Sequence, residues 1–185
     1  MTEQERNELM QIVRELSYEE REVTLASGRK SNFYFDGKQT TLHAKGGLLV
    51  GKAFWEIVKQ FEGPIHGVGG LTMGADPIAI ATAMAAAEAG RPLVAFSIRK
   101  APKDHGTGGR LAGPVGAGTR VCLLEDTSTT GGAFFEAHDA AAEAGLEIVQ
   151  AICLVDRSDG RVAEGMAERA VPYKALFTPA DLGVG

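Results

Sequence analysis

Between residues 65 and 155 the chain alternates short apolar runs with helical patterns, and no other feature restricts its fold as much. Residues 65–68, 93–98, 121–124 and 148–155 read as strands, and residues 77–89 and 132–144 as helices. Strands separated by helices of this length predict an α/β fold with a central, mostly parallel sheet flanked by helices. Asp76 before Pro77 reads as a helix start, and Gly90 and Gly145 as stops. Seven alanines between Ala79 and Ala89 suit close helix packing, and helix propensity explains them equally well. Residues 171–177 predict a last edge element.

The N-terminal third is less regular. Thr2 and Glu5 fit a capping box, and Leu9, Met10, Val13 and Leu16 recur at helical spacing behind it. Ser27-Gly28-Arg29-Lys30-Ser31 breaks the pattern, and residues 33–35 read as a short strand. A second amphipathic helix runs through Leu48, Ala53, Phe54, Ile57 and Phe61 to a stop at Gly63-Pro64, with Trp55 a core residue. A chain of 185 residues with 44% hydrophobic content can bury one good core, so one domain over residues 1–185 is expected.

Cys122 and Cys153 sit in apolar runs and are expected to be reduced core residues. The N-terminus has no apolar signal region, and no stretch approaches the roughly 20 apolar residues of a membrane span. A cytoplasmic protein without membrane partners is expected. The net charge of -5 argues against general nucleic-acid binding. Four basic residues, Arg99, Lys100, Lys103 and Arg110, are nevertheless concentrated around the single Asp104, which suits a small anionic target. His43, His66 and His138 lack metal-ligand spacing.

The chemistry is concentrated in residues 121–133. An apolar strand runs into Glu125 and Asp126, then Thr127, Ser128, Thr129, Thr130, Gly131, Gly132 and Ala133. Carboxylates at a strand's carboxyl end can accept hydrogen bonds from sugar hydroxyls. Residues 127–131 read as a tight loop whose amides and hydroxyls surround a phosphate, with the next helix N-terminus adding partial positive charge. An ordinary turn with polar helix caps needs fewer such residues. A second Gly-rich turn, Gly67 to Gly74, has Thr72 in the last glycine position of a dinucleotide fingerprint and no Walker lysine. It could present amides to a diphosphate, and a plain turn is about as good a reading.

The segment from Glu125 to Gly132 resembles the phosphoribosyl-diphosphate (PRPP) signature of the type I phosphoribosyltransferases. Three further segments resemble the orotate-using branch of that family: Leu25 to Ser31 with Tyr34-Phe35-Asp36, Arg99-Lys100-Ala101-Pro102-Lys103-Asp104-His105-Gly106, and Val155-Asp156-Arg157. Together they cover about residues 20–160. The resemblance implies the family fold, with an N-terminal helix and hood over about residues 1–45 and a core over 46–157 carrying a mobile catalytic loop at about 101–118. It implies transfer of a phosphoribosyl group from PRPP to orotate, giving orotidine 5′-phosphate and diphosphate in pyrimidine biosynthesis.

By the same resemblance Glu125 and Asp126 bind ribose hydroxyls, and residues 127–133 bind the 5′-phosphate. Arg99, Lys100, Lys103 and His105 bind the diphosphate, with Lys103, Asp104 and His105 the catalytic group. Thr129, Arg157, Tyr34 and Phe35 contact orotate. Mg2+ is implied as cofactor, held mainly through PRPP rather than by protein ligands, and a homodimer sharing the catalytic loop across subunits is implied. Many family members carry Lys where this chain has Ala26, and often one near Met73. A type I transferase for a purine base would share the residue 125–133 cradle without requiring Arg157, and a PRPP-binding regulator would share it without turnover.

Overall fold

The computed structural model describes residues 1–24, 30–102 and 109–184. Its first helix, α1 (Glu3–Ser17), starts at the expected capping box, with the Glu5 amide donating to Thr2 Oγ1 and the Thr2 amide to the Glu5 carboxylate. Leu9 and Val13 point inward, as their spacing requires. Next comes an antiparallel ribbon of β1 (Tyr18–Thr24) and β2 (Lys30–Phe35). The sequence reading finds only the end of β2. It misses β1 because Glu19, Glu20 and Arg21 put charge on both faces, which erases the period-two signal.

The short helix α2 (Lys38–Thr41), also unforeseen, leads into α3 (Ala44–Val58). His43 caps α3 by accepting from the Gly46 amide, so this histidine has a structural role. Then follow β3 (Gly67–Leu71), α4 (Ala75–Glu88), β4 (Val94–Ile98), β5 (Leu111–Ala112) and β6 (Arg120–Ser128). The chain ends with α5 (Gly132–Glu143), β7 (Glu147–Asp156), α6 (Arg161–Glu168), β8 (Tyr173–Phe177) and α7 (Pro179–Leu182). Helix α4 starts before the expected Asp76, whose carboxylate instead receives the hydroxyls of Thr72 at 2.6 Å and Ser97 at 2.7 Å. Part of the stretch expected as a loop at 101–118 is strand β5, antiparallel to β4.

Among the described residues the main sheet has the order β5-β4-β3-β6-β7-β8, parallel except at β5. Successive side chains of β6 alternate between its faces. Cys122 and Leu124 join the core under α1, α3 and α4, while Val121 and Leu123 join the core under α5 and α6. Cys122 and Cys153 fall into these two different cores, which is why both stay free thiols, and burial pushes both thiol pKa values up. No helix among the described residues is long and apolar enough to cross a membrane.

The glycines of β3 serve packing. A Cβ on Gly69 would stand 2.1 Å from the Phe96 carbonyl oxygen, and one on Gly70 would stand 2.3 Å from that of Leu124. Both obstacles are backbone, so relief requires the sheet to shift. Gly69→Ala is expected to cost about 3 kcal/mol by overpacking, a melting temperature roughly 6–12 °C lower for a chain of this size. Thermal unfolding monitored by circular dichroism measures it; an unchanged midpoint would show that β3 and β4 can separate freely. The α4 alanines likewise serve close approach, since a Cβ on Gly51 of α3 would meet the Ala81 carbonyl oxygen at 2.5 Å.

Candidate active site

Strand β3 leads through α4 to β4 on one side, and its other neighbour β6 leads through α5 to β7 on the opposite side. Connections that diverge in this way open a crevice at the strands' carboxyl ends, where open α/β sheets bind ligands. A cleft of about 310 Å³ lies there, lined by Lys38, Leu71, Thr72, Met73, Gly74, Lys100, Glu125, Asp126 and Ala133.

Its floor is acidic. Glu125 and Asp126 are 6% and 4% exposed, and Gly74 packs so closely that a Cβ there would lie 2.5 Å from Glu125 Oε1 and 2.7 Å from Asp126 Oδ1. Burial, then the adjacent Asp126 carboxyl, pushes the Glu125 carboxyl well above the usual carboxylate range. Asp126 Oδ1 accepts from the Thr127 amide at 2.8 Å, while buried Oδ2 accepts no hydrogen bond from any described residue. Thr127 Oγ1 is in the same condition. Oxygens buried without donors are the positions a hydroxyl-bearing ligand would satisfy.

Strand β6 runs further than the sequence suggests, because Thr127 and Ser128 pair with Val155 and Asp156 of β7. The turn is therefore only residues 129–131. Gly131 takes φ +85 and opens α5 without a side-chain cap, and a Cβ there would strike the Phe135 ring at 2.5 Å. Ser128 Oγ accepts from the Gly131 amide at 3.2 Å and Thr130 Oγ1 from the Gly132 amide at 3.4 Å. A helix start of this kind suits a phosphate.

No protein-family model matches the chain. The orotate phosphoribosyltransferase of Mycobacterium avium (strain 104) is 40% identical to it over 185 residues, the whole of both chains. The orotate phosphoribosyltransferase of Corynebacterium glutamicum (strain R) is 41% identical over 179 residues, covering 97% of this chain and 94% of its own. The chain belongs to the orotate phosphoribosyltransferases. The crystal structure of the Mycobacterium tuberculosis H37Rv orotate phosphoribosyltransferase in complex with PRPP matches with a TM-score of 0.81 at 37% identity, over 97% of this chain and 99% of that one. Membership identifies the protein as a phosphoribosyl transferase of pyrimidine biosynthesis.

In this phosphoribosyltransferase the cleft brings together Lys100, Glu125, Asp126 and Ala133 of the residues expected from sequence. Arg157 follows β7, its amide donating to the Ser128 carbonyl at 2.8 Å and its guanidinium 5.8 Å from the Phe35 ring centre. Burial pulls the Arg157 guanidinium below its ordinary pKa, though an arginine remains cationic. The neighbouring Asp156 is engaged elsewhere, accepting from the Ser158 amide at 2.8 Å and the Tyr173 hydroxyl at 3.0 Å. Phe35 and Arg157 thus meet, whereas Tyr34 is exposed with the Arg21 guanidinium 4.4 Å over its ring.

Arg99 is tied to strand β5. Its guanidinium donates to the Leu111 carbonyl at 3.1 Å, and its own carbonyl accepts from Arg110 Nε at 2.6 Å. With the Arg99 amide on the Arg110 carbonyl at 2.8 Å, the two ends of the basic segment are tied together. Lys103, Asp104 and His105, and residues 25–29 of the orotate-side motif, lie outside the described residues.

The sequence reading does not single out Lys38. Its ammonium lies 2.6 Å from Asp36 Oδ1 and 3.8 Å from Asp126 Oδ2. The only hint in the sequence is that it follows Asp36-Gly37, and a lysine after Asp-Gly reads as a solvated turn residue.

Proposed function

We propose that this enzyme catalyses transfer of the 5-phosphoribosyl group from PRPP to orotate, with the cleft between β3 and β6 as the PRPP site. The observation that carries this reading is the pair of buried carboxylates beside an uncapped helix start, with Arg157 and Phe35 at the next strand end. Glu125 and Asp126 accept from the ribose hydroxyls. Residues 127–133 hold the 5′-phosphate through the turn amides, the hydroxyls of Thr127, Ser128, Thr129 and Thr130, and the α5 dipole. Arg157, whose guanidinium lies 5.8 Å from the Phe35 ring centre, takes the orotate carboxylate with its planar fork, and Thr129 and Tyr34 complete the orotate side.

The reaction breaks the C1′–O bond of PRPP, whose electron pair leaves with the diphosphate, while an orotate ring nitrogen bonds to C1′ and gives up its proton, which passes to the departing diphosphate. The positive charge that develops on the ribose lies against Glu125 and Asp126. The leaving diphosphate meets Lys100 and, from the basic segment, Lys103 and His105, with Asp104 beside them. Arg99 joins them on release from the Leu111 carbonyl. Mg2+, held with PRPP, would supply further charge neutralisation of the diphosphate. Asp126 Oδ2, which accepts no hydrogen bond from a described residue, and the buried Glu125 carboxyl are the acidic groups of this cleft that would hold it.

The assembly is a homodimer. Ile80 and Met84 of α4 are 57% and 61% exposed, and Met73 just before α4, Leu42 just after α2 and Leu48 of α3 are exposed too. Exposed apolar side chains on and beside the packed helices α3 and α4 support an interface with a second copy. The substrates are small molecules, and the compartment is the cytoplasm.

Loss of orotate absorbance on adding PRPP and Mg2+ tests the reaction, and turnover of hypoxanthine in place of orotate would overturn it. Arg157→Ala should raise the orotate KM about 30-fold, the loss of about 2 kcal/mol from a charge-assisted pair, and leave the PRPP KM within a factor of about three. Arg157→Lys should recover only part, because an ammonium lacks the fork. Steady-state kinetics with each substrate varied in turn reads both.

A further inference from the structure

We propose that Lys38 is a PRPP-binding residue, a cation that takes the diphosphate from the N-terminal wall of the cleft. The proposal rests on the cleft being the PRPP site and adds to it a residue from outside the sheet's own loops.

The backbone brings Lys38 there by a contact only glycine tolerates. Gly37 lies against Asp126 so closely that a Cβ on it would stand 2.9 Å from both Asp126 Cβ and Oδ2. The next residue is thereby anchored beside the acidic floor. Its side chain is 40% exposed and lines the cleft opposite the sheet, with Thr72, Met73, Gly74 and Lys100 on the same cavity.

The ammonium is held in a way that allows exchange. Asp36 Oδ1 grips it at 2.6 Å and also accepts from the Lys38 amide at 3.1 Å, while Asp36 Oδ2 accepts from Gln39 Nε2 at 3.2 Å. Asp36 is thus partly satisfied without the ammonium. The 3.8 Å separation from buried Asp126 Oδ2 is too long for a hydrogen bond. Lys38 therefore sits between a carboxylate 15% exposed, which the Lys38 amide and Gln39 still serve when the ammonium leaves, and a buried one that a ribose hydroxyl would satisfy. When a ribose hydroxyl takes Asp126, the ammonium is left facing the cleft, and a four-carbon stem with rotatable bonds can follow a polyanion there.

The anion it meets is the diphosphate rather than the 5′-phosphate. The 5′-phosphate turn at residues 129–132 opens α5 on the β6 side of the crevice. Lys38 shares its cavity with residues 72–74, which follow β3, and with Lys100, which follows β4, while of residues 127–133 only Ala133 lines it. Among the described residues lining that cavity, Lys38 and Lys100 are the cations, and Met73 is apolar. A ligand with several negative charges needs more than one cation in such a site.

Isothermal titration with magnesium diphosphate and with ribose 5-phosphate, on wild type, Lys38→Met, Lys38→Gln and Lys38→Arg, tests the assignment. Both neutral variants should bind diphosphate at least about tenfold more weakly and raise the PRPP KM similarly, with ribose 5-phosphate affinity held within about twofold; arginine should restore diphosphate binding to within about threefold. Unchanged diphosphate affinity in either folded neutral variant overturns the proposal. So does an equal loss for both probes, which a merely structural ion pair with Asp126 would give. Wild-type protein that binds diphosphate but consumes no orotate would refute the transfer reaction alone, since Lys38 is judged by the diphosphate titrations.

Discussion

Glu125→Gln should lower kcat/KM for PRPP about 100-fold while raising the melting temperature of the ligand-free protein at alkaline pH. The activity loss follows from removing a charged acceptor for ribose hydroxyls, worth about 3 kcal/mol where it also faces developing positive charge. The stability gain follows from burial. The Glu125 carboxyl has its pKa raised in the fold, by desolvation first and then by Asp126, so the folded protein binds a proton there more tightly than the unfolded chain. Its contribution is complete below the ordinary carboxylate pKa and is lost as pH rises through the raised value in the fold. Glutamine has nothing to ionise, so variant and wild type should melt closest together near pH 4.5 and separate upward, with the variant the more stable at pH 9. Paired melting curves across pH 4.5–9 without ligand measure the difference. A variant that melts below wild type at pH 9 would show that the Glu125 charge stabilises the empty site.

Lys103→Ala should reduce kcat by about 100- to 1000-fold with PRPP affinity changed by less than about threefold, the range found when one charge-stabilising donor is removed from a transition state. The leaving diphosphate gains charge only as the C1′–O bond stretches, so a lysine meeting it at that stage stabilises the transition state more than bound PRPP. The segment that carries Lys103 is tied at its flanks. Arg99 and Arg110 join its two ends by backbone and side-chain hydrogen bonds, and Arg110 also pairs with Glu136 of α5. Single-turnover rates at saturating PRPP, beside direct PRPP titration, separate the two quantities. Equal losses in rate and affinity would make Lys103 an ordinary binding residue.

Much of the architecture was legible along the chain because local signals and tertiary packing agree from residue 65 onward. The strands there are apolar on both faces, as a sheet covered on two sides demands, and Gly90 and Gly145 stop helices through positive φ. The cradle at Glu125 to Gly132 was legible too, since its residue types exceed what a turn requires. Strand β1 was not, because its solvent-facing charges carry no period. Strand β5 was not, because two residues are too few to show one, and its pairing with β4 depends on residues 13 to 15 positions away.

The sequence by itself determined the residue types of the site: two adjacent acids before a hydroxyl- and glycine-rich turn, and an arginine at the end of the next strand. Those are consequences of local order along the chain. Only the tertiary structure decided which oxygens are buried without donors, that Arg157 meets Phe35 while Tyr34 turns to Arg21, that the two cysteines face opposite cores, and that Lys38 stands over Asp126. Each of these depends on which remote strand or ribbon packs alongside. Residues about 90 positions apart, such as Gly37 and Asp126, are brought into contact by the burial of the whole core and by the absence of a single Cβ, and neither has a local signature.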